Sequence, residues 1–368
     1  MSELRNSPLH PEHQKLGAAF TAFGPWNMPL KYGSELEEHR AVRTSAGVFD
    51  LSHMGELWVT GPDAARFLSY SLISDIEAVD IGKAKYSMIL AADGGIIDDL
   101  IAYRLEDERF LLVPNAGNIA AVWEALNERA QGFDVQLSDD SATLAMIAVQ
   151  GPDSERFLIN QLDDADSAAT AQALPYYAAT RAKVAGRQAI IARTGYTGED
   201  GFEIIVNNND ASAVWTAFTA TEGILPCGLA ARDSLRLEAA MPLYGNELSR
   251  DITAVEAGMG PAFKKKTTDF VGAAEVRRRL AAGATHTIVA LTSDQRRAAR
   301  AGSGIFVGDT QIGTVTSGQP SPTLGYPIAL ALIDASAGAV PGTKVDIDIR
   351  GKRYPFVVTT PPFYQRRC

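Results

Sequence analysis

Cysteine is nearly absent from this chain: Cys227 lies inside an apolar stretch and Cys368 is the last of 368 residues. That scarcity excludes a disulfide framework or a cysteine-ligated cluster and points to a reducing compartment. Histidine is sparse as well. His10, His13, His39, His53 and His286 fall into no HExxH-like spacing, so a protein-held metal is not expected. No run of about 18 apolar residues occurs, and residues 1–14 lack the charged-then-apolar pattern of a secretory signal. Together these absences predict a soluble, cytoplasmic protein with no membrane partner, whose chemistry rests on carboxylates, tyrosines, arginines and a bound cofactor.

What is present is a globular composition, 46% hydrophobic and 21% charged, in a chain long enough for two or three packed units. The net charge of −10 is divided unevenly. Residues 260–368 carry 15 Lys and Arg against 7 Asp and Glu, whereas residues 1–259 carry 19 against 37. Lys264, Lys265 and Lys266, then Arg277, Arg278 and Arg279, then Arg296 and Arg297 make a candidate positive patch for an acidic partner; a solvated charged face is the other reading. Aromatic residues do not interleave with these basic ones as a single-strand platform requires, so nucleic acid is not the expected partner.

One internal echo organises the first two thirds. Val59-Thr60-Gly61-Pro62-Asp63-Ala64-Ala65-Arg66-Phe67-Leu68 returns as Val149-Gln150-Gly151-Pro152-Asp153-Ser154-Glu155-Arg156-Phe157-Leu158. Each copy follows a strand-like run (residues 55–60 and 143–150), breaks at Gly-Pro and opens a helix with proline expected in its first turn. Further strands are predicted at 85–90 and 96–105, joined through Asp93-Gly94-Gly95, and at 109–113, followed by a helix over 118–131. The second copy is followed by strands at 189–193 and 202–206 and a helix over 211–221. After Ala254 the texture changes. A helix over 272–280 leads to short strands at 287–292, 303–307, 311–316, 328–333 and 344–349, the pattern of a small barrel or sandwich.

Three segments can carry chemistry. Within 94–103, Asp98 and Asp99 stand side by side in a strand that is apolar on both alternating faces. If both faces are covered, at least one carboxylate is held from water, the setting in which an acid becomes useful for proton transfer. An edge strand with solvent-facing acids is the alternative. The second segment, 193–203, is punctuated by Gly195, Gly198 and Gly201, which let backbone approach a ligand, and it ends on Glu203 between Phe202 and Ile204. A carboxylate there can accept two parallel hydrogen bonds from an amidine-like edge such as a pterin presents; a surface Glu on a long hairpin is the alternative. Third, Arg232 and Arg236 lie one turn apart on a helix over 228–239 and can clamp a carboxylate-rich tail or pair with Asp233 and Glu238.

Phe49-Asp50-Leu51-Ser52-His53-Met54-Gly55-Glu56, Gly94 to Asp99, Arg193 to Glu203, Ala231 to Glu238, Thr316-Ser317-Gly318 and Ser321-Pro322-Thr323-Leu324-Gly325, in this order, resemble the glycine cleavage T-protein (aminomethyltransferase) family across nearly the whole chain. The resemblance implies an α+β fold: two related folate-binding α+β units over 1–255, a connecting segment with a helix over 256–285, and a small C-terminal β-barrel over 286–368. It implies transfer of the methylene of an aminomethyl group, carried on the lipoyl arm of H protein, to tetrahydrofolate with release of ammonia. Tetrahydrofolate is then the co-substrate, no metal is needed, and the lipoyl group comes with the partner H protein. Asp99 resembles the family's key acid and Glu203 its pterin-reading carboxylate. Arg232 resembles a folate-contacting arginine, and Met54, Tyr86, Tyr103, Asn115 and Tyr196 the pocket wall. Phe363 or Tyr364 resembles the C-terminal segment that reaches back to the site.

Gly260-Pro261-Ala262 departs from the family, many of whose members carry an aromatic residue there, which leaves room for a folate-dependent demethylase acting on a small methylamine or sulfonium donor. A flavin-dependent dehydrogenase is disfavoured because no GxGxxG module precedes the folate region. A folate-binding assembly factor without turnover is disfavoured too, since Cys227 stands in Leu225-Pro226-Cys227-Gly228 and not in the reactive-cysteine motif of such relatives.

Overall fold

Both copies of Gly-Pro-Asp leave a strand by the same turn. In the computed structural model, which describes residues 4–259, 263 and 266–366, strand Leu57–Thr60 gives way at Gly61 to helix Ala64–Ser71, and strand Leu144–Gln150 gives way at Gly151 to helix Ser154–Ile159. Gly61 and Gly151 have φ of +123° and +137°, and a Cβ on either would collide with a backbone carbonyl oxygen, that of Asp134 or of Ser45. No other residue fits either constraint. Proline does not enter the first helical turn as its spacing predicts. Pro62 and Pro152 stand two residues before the first helical residues, and Asp63 and Asp153 are the residues that flank the helices. The rest of the echo is explained by packing: Arg66 and Arg156 reach back to Asp63 and Asp153 at 2.7 and 2.9 Å, while Phe67, Leu68, Phe157 and Leu158 are buried in the core.

The chain forms two compact units, Met1–Ser87 with Leu100–Arg232, and Met88–Asp99 with Asp233–Cys368. In the first unit the repeat extends to whole sheets. One sheet runs Lys83–Leu90, Ile96–Glu106, Arg109–Pro114, Leu57–Thr60, Gln136–Asp139, the turn end of its first hairpin grouping with the second unit; the other runs Ala179–Val184, Arg187–Ala192, Gly201–Asn207, Leu144–Gln150, Ala46–Asp50, Ile224–Pro226. The first five places correspond strand for strand. The fifth place is exchanged between copies. Ala46–Asp50, which precedes the first copy, pairs with the second copy's Leu144–Gln150, and Gln136–Asp139, which precedes the second copy, pairs with Leu57–Thr60.

The copies also meet edge to edge by matching bonds, Ala84 N to Tyr177 O at 2.8 Å and Ala179 N to Gly82 O at 2.9 Å. Such mutual pairing covers edges that would otherwise expose unpaired backbone groups. Around the second sheet packs an apolar core that includes Ile147, Val149, Ile191, Phe202, Ile204, Val214, Trp215 and Phe218. Helix Glu35–Thr44 closes on it with regular chemistry: Ser34 accepts the Glu37 N–H at its start, Glu35, Glu37 and Glu38 occupy the first turn and Arg43 the last, as the helix dipole favours. A small sheet of Arg5–Asn6, Trp26–Lys31 and Ala19–Phe23, absent from the sequence expectations, precedes that helix.

In the second unit, the turn at Asp93-Gly94-Gly95 forms as predicted. Gly94 has φ of +80°, and the Ala91 N–H reaches the Gly95 carbonyl at 2.9 Å. Helix Ala273–Ala282 precedes a closed barrel in the order His286–Thr292, Pro327–Asp334, Thr310–Pro320, Gly304–Val307, Lys344–Ile349, Lys352–Thr359. The sixth strand, which the sequence reading left out, pairs with the first and closes the ring. Its Pro355 disguises it, because proline interrupts most strands but is tolerated where no N–H is required. Leu291, Ile305, Val315, Ala331, Ile347 and Phe356 fill the barrel's interior. The expected α+β fold with a C-terminal β-barrel is the fold observed. Gly260-Pro261-Ala262, Lys264, Lys265 and Cys368 lie outside the described residues.

Candidate functional site

Glu203 sits mid-strand in the first unit, paired with Ala148 on one side and Ala192 on the other, and is 8% exposed. A carboxylate so placed is costly unless hydrogen bonds compensate it. Its Oε2 accepts the Tyr103 hydroxyl at 3.1 Å and the Thr194 hydroxyl, and those two hydroxyls lie 3.0 Å apart. Burial, then the Glu203 charge, push the Tyr103 phenol well above its usual range, so it remains a protonated donor. Oε1 accepts no hydrogen bond from the described residues. Glu203 lines a pocket with Phe49, Leu51, Ala148, Gln150, Tyr196, Thr197 and Arg232.

The glycine-rich loop is shaped by a side chain of its own unit. Gln150 is 1% exposed; its amide donates to the Thr194 carbonyl at 3.0 Å and accepts from the Thr197 hydroxyl at 2.8 Å. A Cβ on Gly195 or Gly201 would strike the Gln150 amide. The space a side chain would take at these two glycines is filled by Gln150. Arg193 fastens the loop's base to Asp200 and, at 2.8 Å, to Glu155.

Opposite Tyr196 stands Arg232, half-buried on helix Leu229–Glu238, its guanidinium carbon 4.5 Å from the tyrosine ring centre. His53, 1% exposed, is held down to about 4 by burial and then by the Arg232 charge, against the opposing Asp50. It is a neutral imidazole at physiological pH. The segment before it is pinned by Asp50, whose carboxylate accepts the Ser52 N–H at 2.9 Å and lies 2.8 Å from His13 Nε2, so that Phe49 and Leu51 are presented to the pocket.

Of the residues expected to form the site, Tyr196, Glu203 and Arg232 line one pocket and Tyr103 holds Glu203 from behind. Met54, Tyr86 and Asn115 are half-buried in the same unit but are not among that pocket's lining. Asp99 belongs to the second unit. It is half-buried and Asp98 is fully buried. Their strand is second in its sheet, and its pairing with Arg109–Pro114 begins at Leu100, just beyond the two acids; the complete burial of Asp98 is what speaks against two solvent-facing carboxylates. Beside them, the Tyr244 hydroxyl donates to the Ile96 carbonyl at 2.9 Å, and its phenol is raised by burial and by the charges of Asp98 and Asp99, with Arg250 opposing.

Tyr364 donates its N–H to the Glu238 carbonyl at 2.8 Å, and Phe363 packs with Leu237, Ile328 and Leu330. Arg236 does not act with Arg232 as a clamp. It is 2% exposed, bonded to Glu247 at 3.1 Å, Asp233 at 2.8 Å and the Ser317 hydroxyl at 2.8 Å. Glu238 likewise binds Ser321 and Thr323, so the motifs around 316–325 serve as anchors of the barrel.

The positive patch is smaller than its sequence implies. Arg277 faces Asp269, Arg278 and Arg279 both bind Glu275, and Lys266 is buried over the Phe270 ring; Arg277 and Arg278 are exposed but paired with acids, and Arg296 and Arg297 are exposed as well. Among the described residues no group of three His, Cys, Asp or Glu side chains is placed to hold a metal ion, and no helix is long and apolar enough to cross a membrane.

Residues 9–267 match the family described as GCVT N-terminal domain, and residues 286–365 match the Glycine cleavage T-protein C-terminal barrel domain. The chain belongs to the glycine cleavage T-protein family. It is 64% identical over 369 residues to an aminomethyltransferase of Corynebacterium aurimucosum, with 100% of both chains covered. It is 42% identical over 367 residues to an aminomethyltransferase of Bacillus subtilis, covering 99% of this chain and 100% of the relative. The crystal structure of glycine cleavage system aminomethyltransferase T from Bartonella henselae superposes with a TM-score of 0.90 at 37% identity, covering 99% of each chain. Membership makes the chain an enzyme, an aminomethyltransferase of a folate-dependent family.

Sequence reasoning missed Gln150 and Thr194 as the residues that shape the pocket. Gln150 was visible as the one polar residue at the end of an apolar strand, and Thr194 as the hydroxyl inside the glycine-rich loop.

Proposed function

We propose that this chain transfers the methylene of the aminomethyl group borne by lipoyl H protein to tetrahydrofolate, releasing ammonia. The observation that carries the substrate reading is Glu203: one oxygen is engaged by Tyr103 and Thr194, the other has no such bond, and the residue lines the pocket. An anchored carboxylate with one oxygen committed is pre-organised to accept hydrogen bonds from the N3–H and 2-amino edge of a pterin. Tyr196 offers a flat wall, and Arg232, held against it, offers a cation for the carboxylates of the folate tail. Reduced folate supplies the nitrogen that receives the carbon unit. Asp99 is assigned the proton-handling role, next to the fully buried Asp98; orientation, one carboxylate and exclusion of water suffice where no side-chain nucleophile is called for. Met54, Tyr86, Asn115 and Tyr364 are assigned to the remaining wall. The excess of basic residues after residue 260 supports an acidic protein partner.

The test is turnover. Incubation with aminomethyl-loaded lipoyl H protein and tetrahydrofolate is expected to give ammonia and methylenetetrahydrofolate in equal amounts. Product from a small methylamine or sulfonium donor, with none from the loaded carrier, would transfer the assignment to a demethylase.

A further inference from the structure

One helix carries both braces of the pocket. Helix Glu35–Thr44 places two charged side chains inside the first unit, five residues and about 7.5 Å of helix rise apart. Glu38 is 3% exposed. Its Oε1 accepts the N–H groups of Tyr32 and Gly33 at 2.8 and 3.1 Å, and its Oε2 accepts the N–H of Gly228 at 2.9 Å. Gly228 is the residue before helix Leu229–Glu238, and its carbonyl accepts the Arg232 N–H at 3.1 Å. A Cβ at Gly228 would collide with the Leu30 backbone, so this helix start is held by close backbone packing as well as by Glu38.

At the helix's other end Arg43 donates to the Thr197 carbonyl at 2.8 Å and to Glu199 at 2.9 Å. Both members of that ion pair are nearly dry, with side chains 5% and 4% exposed. Thr197 follows Tyr196, and both line the pocket with Arg232. The two partners of the Tyr196–Arg232 stack thus hang from the same rigid element through separate charged anchors.

We infer that Glu38 and Arg43 are positioning residues for the folate pocket: acting through Gly228 and Thr197, they set the spacing between Arg232 and the Tyr196 wall without touching the substrate. The inference rests on the folate reading of that pocket. A buried carboxylate with three N–H donors and a buried arginine with two acceptors have few alternative arrangements, which is what a supporting shell requires. The anchors explain why charge is spent in the interior where an apolar helix face would pack at less desolvation cost.

The experiment uses the full-length protein, loaded H protein and tetrahydrofolate, with ammonia release followed at varied folate and then at varied carrier. Both bonds of Arg43 leave Nη1; Arg43→Lys keeps the charge, but its shorter side chain places the ammonium short of that position and lacks the planar guanidinium. It is expected to raise KM for tetrahydrofolate by about tenfold or more, since misplacement by ~1 Å costs up to roughly a hundredfold, with KM for the carrier unchanged. Glu38→Gln can satisfy Tyr32 and Gly33 or Gly228 but not both sets, and is expected to shift the same constant. A purely structural role would lower the amount of active enzyme, hence kcat, and the melting temperature, leaving KM for folate at the wild-type value; that outcome in both variants overturns the inference. Should one variant fail to fold, the other decides. Wild-type protein that turns over no tetrahydrofolate overturns the folate reading itself, whereas normal wild-type turnover with unmoved KM in the variants overturns only the bracing.

Discussion

Replacing Glu203 by Gln changes one atom and keeps the shape. Tyr103 and Thr194 both direct donors at Oε2. The amide therefore turns its carbonyl oxygen toward them, because the opposite orientation would set its NH2 against two hydroxyl donors. The NH2 group is then left at the pocket face, where the pterin also presents donors. Two hydrogen bonds to a charged acceptor are lost, each contributing about 1.5–3 kcal/mol, and a donor faces donors.

Even after water compensates part of the loss, roughly 3 kcal/mol remains, about a hundredfold in Kd for tetrahydrofolate. The fold should hardly notice, since the two hydroxyls keep an acceptor. Titration calorimetry with tetrahydrofolate on the purified protein, alongside a thermal melt, reads both quantities. Tyr103→Phe makes the contrast: it removes a support and leaves the pocket-facing oxygen, and should weaken binding by only about fivefold, the size of one ordinary hydrogen bond of about 1 kcal/mol. A Glu203→Gln protein that melts normally and binds tetrahydrofolate as tightly as wild type would refute the assignment of the pocket.

Asp99→Asn should remove most methylene transfer while tetrahydrofolate still binds in calorimetry; near-normal turnover would strip Asp99 of its role. His53 is held at about 4 against 6.5 in the unfolded chain, so the unfolded state binds the extra proton first. Its contribution, on the order of 3 kcal/mol, is present above pH 6.5 and lost as pH falls toward 4; urea melts across that range should steepen for wild type relative to His53→Gln. Glu56 has the opposite sign. It is fully buried, neither carboxyl oxygen has a partner among the described residues, and burial, then Asp139 and Asp140, raise it well above 4.5. Its stabilisation is complete below 4.5 and is lost as pH rises through the raised value, so Glu56→Gln should gain stability over wild type increasingly toward alkaline pH; an advantage that shrank with rising pH would contradict this.

The sequence by itself determined what depends on neighbours along the chain. The echo at a spacing of ninety residues, the Asp93-Gly94-Gly95 turn, the acid set between apolar Phe202 and Ile204, and the short barrel strands were legible because turn chemistry and side-chain patterning act over a few residues. Tertiary structure alone decided the contacts between residues far apart along the chain. That Ala46–Asp50 crosses to the other copy's sheet, that Tyr103 supports Glu203, and that Gln150 occupies the space left by Gly195 and Gly201 follow from register and packing, for which no local signal exists. Arg232 and Arg236 make the point most sharply. One turn apart on one helix, they look interchangeable, yet Arg236 is committed to Glu247 and Ser317 while Arg232 lines the pocket. An arginine's own neighbours say that it needs acceptors; only the folded chain says which acceptors reach it and whether a substrate can take their place.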